Sequence, residues 1–160
     1  MIDSFVDDLG RAIAIEPNLW HKAPMELEYD HDQTVKNVAL RLESDAKYAL
    51  VKYFIFSNDT KTDLVGPYYP DITSLRREGK TKLMIEVVTP YSFEDSDEIR
   101  RLESLYMFCQ SNNWEFYMVV PDEKTRKLTQ DKISSRNIKP REIWLESEVP
   151  FAAFTPKSAE

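Results

Sequence analysis

The chain of 160 residues has one cysteine, Cys109, two histidines, His21 and His31, and three glycines, Gly10, Gly66 and Gly79. A single cysteine excludes an intrachain disulfide and any Cys-rich zinc cluster. The histidines show no HExxH spacing, which leaves a zinc hydrolase short of its usual ligands. A phosphate-cradling loop needs several glycines close together so that backbone N–H groups can close on the anion, and scattered ones exclude Walker A, Rossmann and kinase loops. GxSxG is missing too, and with it the usual strand-to-helix nucleophile turn. No apolar run approaches the roughly 18 to 20 residues of a membrane span; the greasiest stretch, 48–56, is interrupted by Lys52. The opening MIDSFVDDLG carries acids where a signal peptide carries lysines. A cytoplasmic location without a membrane partner is therefore expected.

Carboxylate is what the chain has in quantity. Charged residues make up 31% and hydrophobic residues 42%, the balance of a globular protein, and the length suits a single domain over 1–160. The net charge of −7 argues against a nucleic-acid partner in general, since phosphate neutralisation needs a positive surface. The average conceals an acidic stretch over 1–32 and a basic block over 124–141: Lys124, Arg126, Lys127, Lys132, Arg136, Lys139 and Arg141, with Asp131 its only acid. Such a block is either a solvated helix face or, beside a phosphate-handling site, a grip on a nucleic-acid backbone.

Apolar spacing (Phe5, Val6, Leu9, Ile13) predicts a short N-terminal helix over 3–15, ended by Pro17. A second helix is expected over 33–45 on the stripe Val35, Val38, Ala39, Leu42. The stretch 49–57 reads as a strand, with a continuing helix as the alternative, and a turn follows over 57–60. Strands over 65–74 and 82–89 flank Arg76-Arg77-Glu78-Gly79-Lys80, whose polar residues and one glycine suit a hairpin connection. Asp95 and Glu98 form a capping-box pattern ahead of Ile99, Leu102, Leu105, Tyr106 and Cys109, and Asn112-Asn113 stop that helix. A strand over 114–120, a helix over 123–136 and a strand over 142–145 complete the core of 33–146, followed by a tail over 147–160. The expected class is α/β or α+β, with a central mixed sheet flanked by helices.

Two acids stand out. Asp71 lies in the otherwise uncharged GPYYPDITS and Glu86 in the apolar LMIEVVT. An ionised carboxylate in a buried strand is costly without a cation, a metal or dense hydrogen bonding. Folding about the 76–80 turn would set the two side by side, and oxygen ligands of this kind suit Mg²⁺ or Mn²⁺. The structural alternative is that Asp71 caps a bend after Pro70 while Glu86 pairs with Arg100 or Lys82.

Pro70-Asp71 followed, after a basic turn, by Glu86-Val87-Val88 resembles the PD-(D/E)XK nuclease superfamily. The resemblance covers about 33–121, with the next helix and the strand near Glu115 falling where that restriction-endonuclease-like core has them. It implies a Mg²⁺ or Mn²⁺ ion held by Asp71, Glu86 and the Val87 carbonyl, and phosphodiester hydrolysis by a metal-activated water. A homodimer, or another protein partner, is also implied by analogy. The chain departs from the motif at Val88, where the family has a lysine that orients water and offsets phosphate charge. Some members supply that group from the following helix, which nominates Arg100 or Arg101, though an arginine is a poor base. Lys82 shares the strand face of Glu86 but lies about 13 Å away at ~3.3 Å per residue. Glu43 is a further helical acid to consider. Tyr68, Tyr69, Tyr91 and Phe93 either stack bases or pack a rim. Two functions remain open: a metal-dependent nuclease using Lys124, Arg126, Lys127, Lys132 and Arg136 on the backbone, or a catalytically degenerate member that binds nucleic acid or protein.

Overall fold

Strand-forming residues cluster in two regions, and the computed structural model, which describes Ser4–Val6, Ala12–Ala14, 24–55 and 61–149, has two sheets. The chain divides into two compact units, 1–30 and 31–160. In the first, β1 (Ser4–Val6) and β2 (Ala12–Ala14) form an antiparallel pair in which Phe5 opposes Ile13. Where a helix is expected over 3–15, the described residues Ser4–Val6 and Ala12–Ala14 are strands. Phe, Val and Ile at these positions favour a pleated pair, and Gly10 disfavours helix.

The second unit is α+β: a five-stranded mixed sheet, not closed into a barrel, with helices on both faces. Its elements are the part of α1 (Pro24–Glu43) from His31 onward, β3 (Tyr48–Tyr53), β4 (Ile72–Arg76), β5 (Thr81–Val87), α2 (Ser96–Asn112), β6 (Glu115–Val120), α3 (Glu123–Ser134) and β7 (Glu142–Leu145). The strands lie in the order β3-β4-β5-β6-β7, antiparallel as far as β5 and parallel from β5 to β7. The parallel half follows from the crossover helices α2 and α3, since a parallel neighbour cannot be reached through a tight turn.

The period of two along β5 sorts its residues between two cores. Leu83, Ile85 and Val87 join Tyr117, Val119 and Trp144 beneath Val35, Val38, Ala39 and Leu42 of α1. Met84 and Val88 face the other way, with Phe116, Met118 and Val120, against Leu102, Leu105 and Cys109 of α2 and Ile133 of α3. Burial on both faces explains why LMIEVV is an almost unbroken apolar run. Cys109 belongs to this second core; burial, with the charge of Glu86, pushes its thiol up to about 12.

Several boundaries differ from the sequence reading. Helix α1 starts at Pro24 rather than 33, with proline at a first-turn position where its missing N–H costs nothing. Strand β4 starts only at Ile72, so Asp71 sits at its entrance rather than inside it, and Val65 makes a lone bridge to Tyr68. The β4–β5 connection needs its glycine, because Gly79 has a φ of 75°. Asp95 caps α2 through the Asp97 N–H, while Glu98 turns to Arg101 instead of closing a capping box. The expected turn over 57–60 lies outside the described residues, as does the tail beyond 149.

Candidate functional site

The site forms at the end of the sheet where β5 finishes and β4 begins. Antiparallel pairing sets Ile72 opposite Ile85, which places Asp71 beside Glu86 and Val87. The two acids are locked together through the backbone: the Asp71 N–H donates to Glu86 Oε2 at 2.7 Å, and the Val87 N–H donates to Asp71 Oδ2 at 2.8 Å. Both side chains are buried, Glu86 completely.

Parity turns Glu86 toward α2, and α2 answers with Arg101. Successive helical residues are rotated by about 100°, so Arg101 flanks the buried Leu102–Leu105 stripe while Arg100 points to solvent. Arg101 Nη1 stands 2.5 Å from Glu86 Oε1 and 3.1 Å from Glu98 Oε1. Its Nη2 donates to the Tyr69 carbonyl at 2.9 Å and lies 3.5 Å from Asp71 Oδ1. The Glu86 contact is a close, buried ion pair.

Helix α1 brings a histidine. His31 extends the stripe of Val35, Val38 and Leu42 by one turn, and its Nε2 reaches Asp71 Oδ2 at 3.2 Å while Nδ1 meets Asp32 Oδ1 at 3.3 Å. Its side chain remains 27% exposed, so this is the open side of the cluster.

Asp32, Asp71, Glu86 and Glu98 thus surround one guanidinium and one imidazole. Burial would raise the Asp71 pKa, but the charges of His31 and Arg101, with the His31 and Val87 hydrogen bonds, hold it below the ordinary value. Burial acts on Glu86 as well, and the Asp71 charge adds to it; Arg101 opposes both without prevailing, and Glu86 is pushed up to about 8. Glu98 is raised by burial and by Asp71. Burial would lower the His31 pKa, yet Asp71 and Asp32 carry it well above 6.5. Negative charge outweighs positive charge in this cluster, which therefore favours an added proton or cation.

The sequence-nominated residues part ways here. Asp71, Glu86 and Val87 come together; Val87 presents its N–H to Asp71. Arg100 does not join them: it is 75% exposed and pairs with Asp97 at 3.7 Å. Arg101 takes that place. Glu43 is exposed at the last residue of α1, and Lys82 lies over the Trp114 ring at 5.4 Å. Tyr69 stacks on Phe54 with centroids 4.6 Å apart, whereas Tyr68 and Phe93 pack into the α2-facing core. His31 was not singled out by sequence reasoning as a site residue, although its place four residues before Val35 was a usable signal.

In the basic block, Lys124, Lys127 and Lys132 of α3 are exposed. Arg126 is committed to Glu148 at 2.5 Å, and Arg136 pairs with Glu103 at 3.4 Å. Helix α3 follows β6, whose Val119 pairs with Val87 beside the site, so Lys124 and Lys127 lie in the half of α3 that is closer in sequence to that strand end.

Among the described residues, no three His, Cys, Asp or Glu side chains stand together at metal-ligand spacing, and no helix is long and apolar enough to cross a membrane. No protein-family model, curated protein or solved structure matches the chain.

Proposed function

We propose that this chain is a metal-dependent phosphodiesterase acting on nucleic acid. The observation that carries the reading is the pairing of Asp71 and Glu86, two buried carboxylates from adjacent strands in a cluster with excess negative charge. The donors fit a hard divalent cation. Glu86 Oε1 and Asp71 Oδ1 are two carboxylate oxygens whose contacts are to the single cation Arg101, at 2.5 and 3.5 Å. Asp71, Glu86 and the Val87 carbonyl would hold Mg²⁺ or Mn²⁺, with other positions left to water and phosphate. When bound, such an ion supplies a water of lowered pKa and stabilises charge on the phosphoryl oxygens.

The chain's own groups do the rest. Arg101 offsets charge on the phosphate, a role its fork of N–H donors suits, and its high pKa keeps it from acting as the base. Val88 is fully buried in the core and takes no part. Lys124 and Lys127 contribute backbone attraction from α3. The succession α1, β3, β4, β5, α2, β6 supports the resemblance to the PD-(D/E)XK superfamily, because the helix and strand after Glu86 follow in that core's order.

A second reading has its own support. Arg101 already balances part of the acidic cluster, as expected of a degenerate member that binds nucleic acid or protein without cleavage. Incubating labelled single- and double-stranded DNA and RNA with Mg²⁺ or Mn²⁺ separates the two. The enzyme reading expects chelator-sensitive cleavage that falls at least about a hundredfold in Asp71→Asn, the scale of losing a strong transition-state contact. Absence of cleavage in every substrate and metal combination, or full cleavage by the variant, would sink it.

A further inference from the structure

Arg101 has a second consequence, which rests on the metal reading of the site. We propose that its guanidinium is a built-in competitor for the metal position, displaced when a phosphodiester binds, so that metal and phosphate enter the site cooperatively.

The guanidinium engages the same oxygens a divalent ion would need, at 2.5 Å from Glu86 Oε1 and 3.5 Å from Asp71 Oδ1. Two cations cannot share these atoms without mutual repulsion. Arg101 also has somewhere to go. Glu98 Oε1 and the Tyr69 carbonyl hold it from the outer side at 3.1 and 2.9 Å, and its side chain is 18% exposed, so a modest swing leaves it tethered while freeing Glu86. A phosphate makes that swing favourable, because its oxygens accept two parallel N–H bonds from a guanidinium. Phosphate binding then vacates the metal position, and metal binding releases Arg101 for phosphate. The two affinities must rise by the same factor, since binding linkage is reciprocal. The empty protein holds metal weakly and commits to it when a phosphodiester is present.

The test is calorimetric titration of Mn²⁺ into wild type and Arg101→Gln, each with and without dimethyl phosphate as the probe, with folding followed by circular dichroism. Wild type is expected to bind Mn²⁺ about tenfold more tightly with dimethyl phosphate, within the usual range of site coupling. Arg101→Gln should bind about tenfold more tightly than wild type without the probe, and gain less than wild type from adding it. Removing Arg101 leaves buried acids without their counter-charge, so Arg101→Lys is the second variant. A lysine's single ammonium cannot span Glu86, Glu98 and the Tyr69 carbonyl together, and an intermediate Mn²⁺ affinity is expected. Equal or weaker Mn²⁺ binding by both variants, or no effect of the probe on wild type, would overturn the competitor role while leaving the metal site standing. No Mn²⁺ binding by any form, with or without the probe, would overturn both.

Discussion

Glu86→Gln is expected to remove the fall in stability with rising pH that Glu86 imposes, and to weaken metal binding severely. The folded-state pKa of Glu86 is raised from 4.5 to about 8, by burial first and by the Asp71 charge. Between those values the folded protein holds a proton that the unfolded chain has released, so stability falls as pH rises through the window. Above pH 8 the full penalty is present; below 4.5 there is none. Glutamine is neutral throughout and still accepts the Asp71 N–H through its carbonyl oxygen. Comparing denaturant unfolding at pH 5 and pH 8.5, the difference between variant and wild type should move in the variant's favour by a few kcal/mol. A difference that does not change with pH would mean that Arg101 holds Glu86 ionised throughout. Loss of the carboxylate also removes one of two charged ligands, so the variant should lose most Mn²⁺ affinity whatever its stability.

The largest loss of stability is expected at the opposite end of the sheet. Arg76, at the end of β4 and 6% exposed, donates to both Glu115 oxygens at 2.8 and 3.2 Å, and to the Tyr117 hydroxyl at 3.1 Å. Tyr117 donates in turn to Glu115, and Arg141 lies 3.4 Å from the same carboxylate. Arg76→Met should cost about 3 to 5 kcal/mol, because it leaves the largely buried Glu115 short of its main counter-charge. Replacing both partners, as Arg76→Met with Glu115→Leu, should restore most of that, since desolvation of the pair offsets much of its attraction. Unfolding free energies of the two single variants and the double variant close the cycle. A double variant as unstable as the sum of the singles would show that Arg76 and Glu115 are not energetically coupled, and would contradict the counter-charge account.

How far the chain could be read depended on the physical range of each signal. Glu86 was legible because a lone carboxylate in LMIEVVT contradicts its surroundings, and β5, α2 and β6 were legible because their apolar patterns are long or unbroken. The N-terminal segment was not, since Phe5, Val6 and Ile13 fit a helical stripe and a strand pair almost equally well over so short a span. The choice between Arg100 and Arg101 depends on the phase of α2 relative to Glu86, a tertiary quantity; the stripe at Leu102 and Leu105 holds that phase, but only once the neighbouring strand face is known. His31 was hidden differently. The apolar stripe of α1 begins only at Val35, whereas the helix begins at Pro24, and the acids Asp30 and Asp32 mask the earlier turns. The Arg76–Glu115 pair joins residues far apart in sequence and leaves no local trace.

The central claim is that Asp71 and Glu86 form a cation site. It is tested most directly by titrating Mn²⁺ calorimetrically into wild type and Asp71→Asn, with dimethyl phosphate present in both so that Arg101 is drawn aside. The account predicts one binding event per chain in wild type and its loss in the variant, with both proteins folded by circular dichroism. The same heat of binding in both proteins, or none in wild type, would contradict it.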